Sequence, residues 1–334
     1  MARIGVDVGG TNTDLVLECS RGVFFHKVPS TPRDQSIGVI QGVEQICKIA
    51  GVTKDDVELI AHGTTVATNI TIEHNGAEVG FLTTRGFRDI LHIGRHKRPM
   101  NFSLHFDVPW QSRPLAKRRN RIAIEERILP PSGEVAMPLN EAEVRRACAL
   151  FRKRKITSVA IGFMFSFLND AHERRARDIV LEEMPDAYVT LSSEVANVIR
   201  EYERFSTTAM NGFVGPKTAS YLRNLEGKLR DAGFPAKVRV IQSNGGISTI
   251  EGCSRKPISI LMSGPAGGVI GGLSESKLAE TPNVITIDIG GTSADISTIP
   301  GGQFRIMNPR DTFVAGHAVM TPMIDLITIG AGGG

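Results

Sequence analysis

Cysteine is scarce in this chain and never clustered. Cys19, Cys47, Cys148 and Cys253 lie far apart, without the close pairs that bind zinc or carry out redox chemistry, and reduced thiols in a cytosol suit them best. Net charge is also small. The 39 lysines and arginines face 35 aspartates and glutamates, which gives no argument for a nucleic-acid or anionic-membrane partner. Two basic runs, Arg95-His96-Lys97-Arg98 and Lys117-Arg118-Arg119-Asn120-Arg121, are not interleaved with the aromatic residues that stack on bases, and they read as solvated or intersubunit faces. The longest apolar stretch, 156–168, is too short for a bilayer and contains Thr157, Ser158 and Ser166. At the amino terminus a strand pattern containing Asp7 stands where an export signal needs an unbroken apolar segment. A cytoplasmic protein is expected. There is also no nucleophilic serine or cysteine constellation and no lysine-bearing phosphate loop.

What the chain does have is one acidic, glycine-bearing hairpin written twice. Near one end it reads Arg3-Ile4-Gly5-Val6-Asp7-Val8-Gly9-Gly10-Thr11-Asn12-Thr13-Asp14, and near the other Val284-Ile285-Thr286-Ile287-Asp288-Ile289-Gly290-Gly291-Thr292-Ser293-Ala294-Asp295. In each copy an apolar run with β-branched members predicts a buried strand, and the aspartate near its end presents a carboxylate where a metal-bound phosphate would sit. Gly9-Gly10 and Gly290-Gly291 allow a tight turn whose N–H groups approach an anion with no Cβ in the way. Thr11 and Thr292 add hydroxyl donors. Asp14 and Asp295 follow the turn, placed to bind magnesium through water. A single Gly-Gly turn is an ordinary hairpin signal. Two copies matching at Asp, Gly, Gly, Thr and Asp point instead to a two-sided phosphate clamp.

With 334 residues and 41% apolar content, the chain is long enough for two domains with substantial cores. Strand-like and helical runs alternate, which predicts an α/β protein. Strands are expected at 23–28, 58–62, 78–83, 158–167 and 238–242, and helices at 36–50, 140–153 and 171–184. A long helix over 192–219 is expected to bridge two lobes, with a further helix reaching Asp231. Residues 95–114 lack periodicity and hold Trp110 between prolines, so they read as a long loop. We divide the chain into an N-terminal domain, 1–190, carrying the first phosphate motif, and a second, 191–334, carrying a connecting helix and the second motif.

The duplicated hairpin resembles that of the superfamily containing actin, the sugar kinases and the heat-shock chaperone ATPases. There, two ribonuclease-H-like domains close on ATP. Ser263-Gly264-Pro265-Ala266-Gly267-Gly268-Val269-Ile270-Gly271-Gly272 stands where those proteins have a small-residue connecting helix; by itself it also fits a plain glycine-rich loop. More narrowly, the chain resembles the hydantoinase A and 5-oxoprolinase family, which includes caprolactamase and subunits of acetone and acetophenone carboxylase. The matching segments run in order from end to end: 5–14, 62–69, Gly86-Phe87-Arg88-Asp89-Ile90-Leu91 with Arg95 and Arg98-Pro99, Ser132-Gly133-Glu134-Val135, 201–205, 263–268, 288–295, and Gly316-His317 through Asp325 to Gly334. Two departures stand out. Members of the family are usually about twice as long, so the adenosine-binding motif falls beyond Gly334 and the second lobe is expected to be incomplete, the glycine run 330–334 being a poor natural terminus. Asn12 stands where the first motif commonly has an aromatic residue.

The resemblance implies ATP and Mg2+ as cofactors and a cyclic amide as substrate: a hydantoin, 5-oxoproline or a lactam, opened after phosphorylation of its carbonyl. It further implies a hydantoinase B-type partner subunit. Asp7 and Asp288 are the residues expected to organise magnesium and the catalytic centre, with Asp14 and Asp295 in support. Gly9, Gly10, Thr11, Gly290, Gly291 and Thr292 are expected to hold phosphates. His62, Thr64, Thr65, Arg95 and Arg98 are candidates for the substrate side, against a structural cap or salt bridge for each. His317 and Asp325 fit either a metal or a structural role. A ketone carboxylase subunit, and a silent nucleotide-binding or assembly module, share these motifs and stay open at this stage.

Overall fold

The computed structural model describes residues 1–31, 34–96, 102, 105–290 and 294–329. Arg98, Gly291 and Thr292 therefore lie outside the described residues. The chain packs as two compact units: the first is Met1–Asn69, Thr218–Met307 and Pro322–Gly334, and the second Ile70–Lys217 with Asn308–Thr321. These units are discontinuous in sequence. They describe packing, whereas the division at 190 describes motif content.

In the first unit a six-stranded sheet runs in the order Ile247–Thr249, Lys237–Ile241, Val57–Thr64, Ala2–Val8, Asn12–Cys19, Gly22–Pro29. Three consecutive antiparallel strands are joined, beyond the first of them, by two parallel ones. This is the ribonuclease-H-like arrangement implied by the resemblance. Period-two alternation decides the faces: Ala2, Ile4, Val6 and Val8 are buried, whereas Arg3, Gly5 and Asp7 lie on the other side. The helix Gln35–Ala50 packs on the two antiparallel strands beyond Ala2–Val8. It seats closely because a Cβ at Gly42 would come within 2.5 Å of Leu15. Asp34 caps its start through the Ser36 amide, and Gly51, at φ +63°, ends it.

The same unit holds a second, three-stranded antiparallel sheet ordered Val284–Ile289, Ala294–Ile299, Leu326–Ile329. Its Val284, Thr286 and Asp288 side faces the helix Ser263–Leu278, which packs on it through Ala266, Val269 and Ile299. Its other side presents Ile285, Ile287, Ile289 and Ile327, at 60–66% exposure. The connecting segment is thus a helix and not a glycine loop.

The second unit is built on a parallel sheet ordered Tyr188–Leu191, Ser158–Gly162, Val79–Thr84, Arg121–Ile124. Val79–Thr84 and Ser158–Gly162 are buried along their whole length, as expected of strands covered on both faces. Helices Glu141–Lys153 and Ala171–Glu183 supply Val144, Phe151, Ile179 and Val180 to one core. The expected strand 158–167 ends early, at Gly162, because the chain turns, with Phe165 at φ +60°. The expected break in the long helix is absent: Glu201–Asp231 is continuous through Pro216, and Ser192–Val195 is a separate short turn. Within the stretch read as a loop, Pro109–Ser112 forms one helical turn. The cysteines are free. Among the described residues no helix is long and apolar enough to cross a membrane.

Candidate active site

Both hairpins belong to the first unit, and they are built alike. In one, Asp7 stands directly opposite Asp14 across the antiparallel pair, and in the other Asp288 stands opposite Asp295. Like charges in directly opposed positions destabilise a sheet. Their presence twice in the same register calls for a cationic counterpart at each tip. The first tip is held by its own chain: the Gly9 amide donates to Asn12 O at 2.9 Å, the Ser30 hydroxyl to Gly9 O at 2.8 Å, and the Ser30 amide to Thr11 O at 2.9 Å. A Cβ at Gly10 would meet nothing within 4 Å, so the turn faces open space.

Asp7 has Asp14 on one flank and Gly63 on the other. An added Cβ at Gly63 or at Gly264 would stand 3.0 Å from Asp7 Oδ1, so glycine at both positions lets this carboxylate keep its place without shifting. The site is open to solvent yet crowded by protein atoms. That crowding first, and then Asp288 and Asp14, push the Asp7 pKa up to about 6. Asp295 is likewise raised, by burial and by Asp288, although the Thr328 hydroxyl donates to it. Asp14 makes an ion pair with Lys27 at 2.8 Å. Between the helix Ser263–Leu278 and the second sheet lies a cavity of about 170 Å³, lined by Pro265, Gly268, Val269, Thr286, Asp288 and Asp295.

The fit to a magnesium–phosphate group rests on this cradle. Among the described residues the charges that act on Asp7 are those of Asp288 and Asp14, a glycine turn opens to solvent, and nothing lies within 4 Å of a Cβ placed on Gly10. Among the described residues no group of three or more histidines, cysteines, aspartates or glutamates is set to hold a metal directly. Magnesium takes one or two carboxylates and completes its shell with water and phosphate oxygens, and the opposed pairs Asp7 with Asp14 and Asp288 with Asp295 offer carboxylates of that kind.

The substrate-side candidates divide by strand alternation. His62 and Thr64 point to the buried face with Val6 and Val8 and are fully buried. His62 Nε2 lies 3.0 Å from the Tyr221 hydroxyl, and burial lowers its pKa to about 4, so the ring is neutral. The Thr64 amide donates to Ser263 Oγ at 3.1 Å, and the Ser263 hydroxyl returns a bond to Thr64 O at 2.7 Å. This latch brings the helix start and Gly264 to Asp7. Thr65 lies beside the acid face, its hydroxyl 3.3 Å from Val8 O. In the second unit Arg95 forms a two-pronged pair with Glu203, at 2.9 and 2.6 Å. Also there, His317 is buried in a short strand pair, and burial lowers its pKa to about 4. In the first unit Asp325 acts through its backbone, accepting from the Ser297 hydroxyl at 2.7 Å. Gly63, Gly264 and Ser263 were not singled out as site residues from sequence, although both motifs containing them were.

A ribonuclease-H-like sheet carrying paired acids at a glycine turn, with the same hairpin repeated, defines an α/β protein of ATPase-like fold. The chain belongs to the hydantoinase/oxoprolinase family: residues 3–184 match the hydantoinase/oxoprolinase N-terminal region and residues 204–334 the hydantoinase/oxoprolinase domain. It is 37% identical to an uncharacterized protein of Methanocaldococcus jannaschii, over 99% of this chain and 50% of that one. It is 35% identical to the caprolactamase alpha subunit of Pseudomonas jessenii, over 99% of this chain and 48% of the subunit. The crystal structure of that ATP-dependent caprolactamase matches with a TM-score of 0.86, over 99% of this chain and 48% of that one. A nucleotide-free acetone carboxylase structure matches with a TM-score of 0.88 at 26% identity, over 99% and 48%. The chain spans about half the length of the curated relatives it matches.

Proposed function

We propose that this chain is the phosphate-handling part of an ATP-dependent hydrolase subunit that opens a cyclic amide such as a hydantoin, 5-oxoproline or a lactam. The observation that carries the reading is the pair of like-charged carboxylates, Asp7 with Asp14 and Asp288 with Asp295, set in the same register in two hairpins of one unit. Bound Mg-ATP would supply a phosphoryl group that converts an unreactive amide carbonyl into an electrophile.

The residues of the chain position groups and balance charge. Gly9, Gly10 and Thr11 offer backbone and hydroxyl donors to phosphate oxygens on one side; Gly290, Gly291 and Thr292 do so on the other. Asp7 and Asp288 hold magnesium, with Asp14 and Asp295 behind them. His62 and Thr64 fix the strand end and the helix start, Thr65 stands beside the acids, and Arg95 and Arg98 stay candidates for contact with substrate. The cavity of about 170 Å³ is small beside the 300–1,000 Å³ typical of pockets that enclose a whole ligand. That size suits a clamp for phosphates without a full grip on adenosine. The 1–190 and 191–334 division follows the two motifs, each part carrying one jaw. We further place the protein in the cytoplasm, in a hetero-oligomer with a hydantoinase B-type subunit.

A carboxylase reading is favoured by one observation, the TM-score of 0.88 to acetone carboxylase. The higher identity to caprolactamase, 35% against 26%, favours the hydrolase. The assembled enzyme incubated with ATP and labelled bicarbonate separates them: label kept in product excludes simple ring opening. For the ATP step itself, Asp288→Ala should abolish turnover in the assembled enzyme with the fold intact by circular dichroism. Unchanged turnover removes Asp288 from the site.

A further inference from the structure

The tip of the first hairpin leans on a residue outside it. Ser30, just past the strand Gly22–Pro29, reaches residues 9–13 three times. Its hydroxyl donates to Gly9 O at 2.8 Å, its amide donates to Thr11 O at 2.9 Å, and its Oγ lies 3.0 Å from Thr13 Oγ1. A serine hydroxyl has a single hydrogen. Here that hydrogen goes to the Gly9 carbonyl, which can only accept, so Thr13 is the donor to Ser30 Oγ. The hydrogen bonds therefore run one way, from Thr13 to Ser30 to Gly9.

Thr13 is fully buried and stands opposite Val8, on the face of Val6 and Leu15, whereas Asp7 and Asp14 lie on the other face. The second hairpin keeps the same register, and there Ala294 stands opposite Ile289. A small apolar side chain thus serves the strand at this position. The Thr13 hydroxyl has its use in Ser30.

A trans peptide is planar, with its C=O and N–H pointing opposite ways. Gly9 O is drawn to a hydroxyl beside Thr13, on the buried side, so the Gly10 N–H of the same peptide is turned toward the side of Asp7 and Asp14. A Cβ at Gly10 would meet nothing within 4 Å, and this N–H has no partner among the described residues. Glycine on both sides leaves the Gly9–Gly10 peptide free to rotate unless something holds it. Ser30 is that hold.

We propose that Ser30 is a positioning residue for phosphate, fixing the Gly9–Gly10 peptide with its N–H toward the acid side of the hairpin. This rests on the reading that Gly9, Gly10 and Thr11 hold phosphate oxygens. Ser30 acts through the peptide and does not touch the nucleotide. Its effect is pre-organisation: the donor is aimed before the ligand arrives, and binding does not have to order a Gly-Gly turn.

The test is calorimetry of Mg-ATP binding to the assembled enzyme without substrate, with thermal unfolding alongside. Ser30→Ala should weaken binding by at least ~10-fold, the scale of one hydrogen bond to a charged group, and should lower the thermal midpoint because buried Thr13 loses its acceptor. Adding Thr13→Val to Ser30→Ala removes both hydroxyls with little change of shape. The double variant should recover most of the thermal stability and keep the weak binding of Ser30→Ala. Affinity that returns together with stability makes Ser30 structural only and overturns the proposal, as does unchanged affinity in Ser30→Ala. A parent enzyme that does not bind Mg-ATP overturns the phosphate reading itself, and this proposal with it.

Discussion

At the scale of single residues, the site depends on where carboxylates are tolerated. Asp7 titrates near 6 because it is crowded by protein and faces Asp288 and Asp14. Its folded pKa lies above the ordinary value, so the folded state binds the proton more tightly, and the charged form weakens the fold as pH rises through about 4 to 6. Asp7→Asn is therefore expected to stabilise the chain at pH 7 to 8, with the gain fading below about pH 4, as thermal unfolding across pH would show. On the proposed function, the same variant should lower ATP turnover of the assembled enzyme by at least ~100-fold, the scale of losing a centre for charge stabilisation. A variant less stable at pH 8 would mean that Asp7 has a structural partner. Asp7, Asp14, Asp288 and Asp295 were legible in sequence because the motif repeats. Gly63, Gly264 and Ser263 were not, because they matter only where a helix start meets a strand end 199 residues away. His62 was legible as part of a motif but not as a buried, neutral ring; strand alternation beside Val6 decided that.

At the scale of elements, the long helix shows how a local rule is overridden. Proline lacks an N–H, so the carbonyl four residues earlier loses its helical donor. Pro216 thus leaves Gly212 O unpaired within the helix, and the Ser158 hydroxyl, from a buried strand, supplies the bond at 2.7 Å. Tyr188 packs at the same place: a Cβ on Gly215 would stand 2.3 Å from its ring. The helix continues because its neighbours compensate; the expected helix 192–219 already contained Pro216, and what differs is that the helix runs on to Asp231 without a break. Ser158→Ala should cost about 1–3 kcal/mol, the range for leaving a buried carbonyl unsatisfied, measured by urea unfolding. A change under about 0.5 kcal/mol would show that another donor serves Gly212. The two hairpins, by contrast, were legible as elements, since strand pattern, acid and Gly-Gly turn all agree locally.

At the scale of the whole chain, the two hairpins differ in what covers them. The apolar face of the first sheet, with Leu15 and Leu17, is buried and carries the helix Gln35–Ala50. The corresponding face of the second sheet leaves Ile285, Ile287, Ile289 and Ile327 exposed. Contiguous apolar surface of that kind promotes association. The purified chain is expected to bind a hydrophobic dye and self-associate, and Ile287→Lys should reduce both in fluorescence and light scattering; no change would mean the face is covered in solution. The sequence by itself determined the α/β class, the family, the duplicated hairpin and its acids, because these rest on local patterns repeated along the chain. Only the tertiary structure decided which motif residues reach the acids, which are buried, how Pro216 sits inside a helix and which sheet face stays open. Those outcomes depend on contacts between segments far apart in sequence, and periodicity within a segment does not encode which distant surface it will meet.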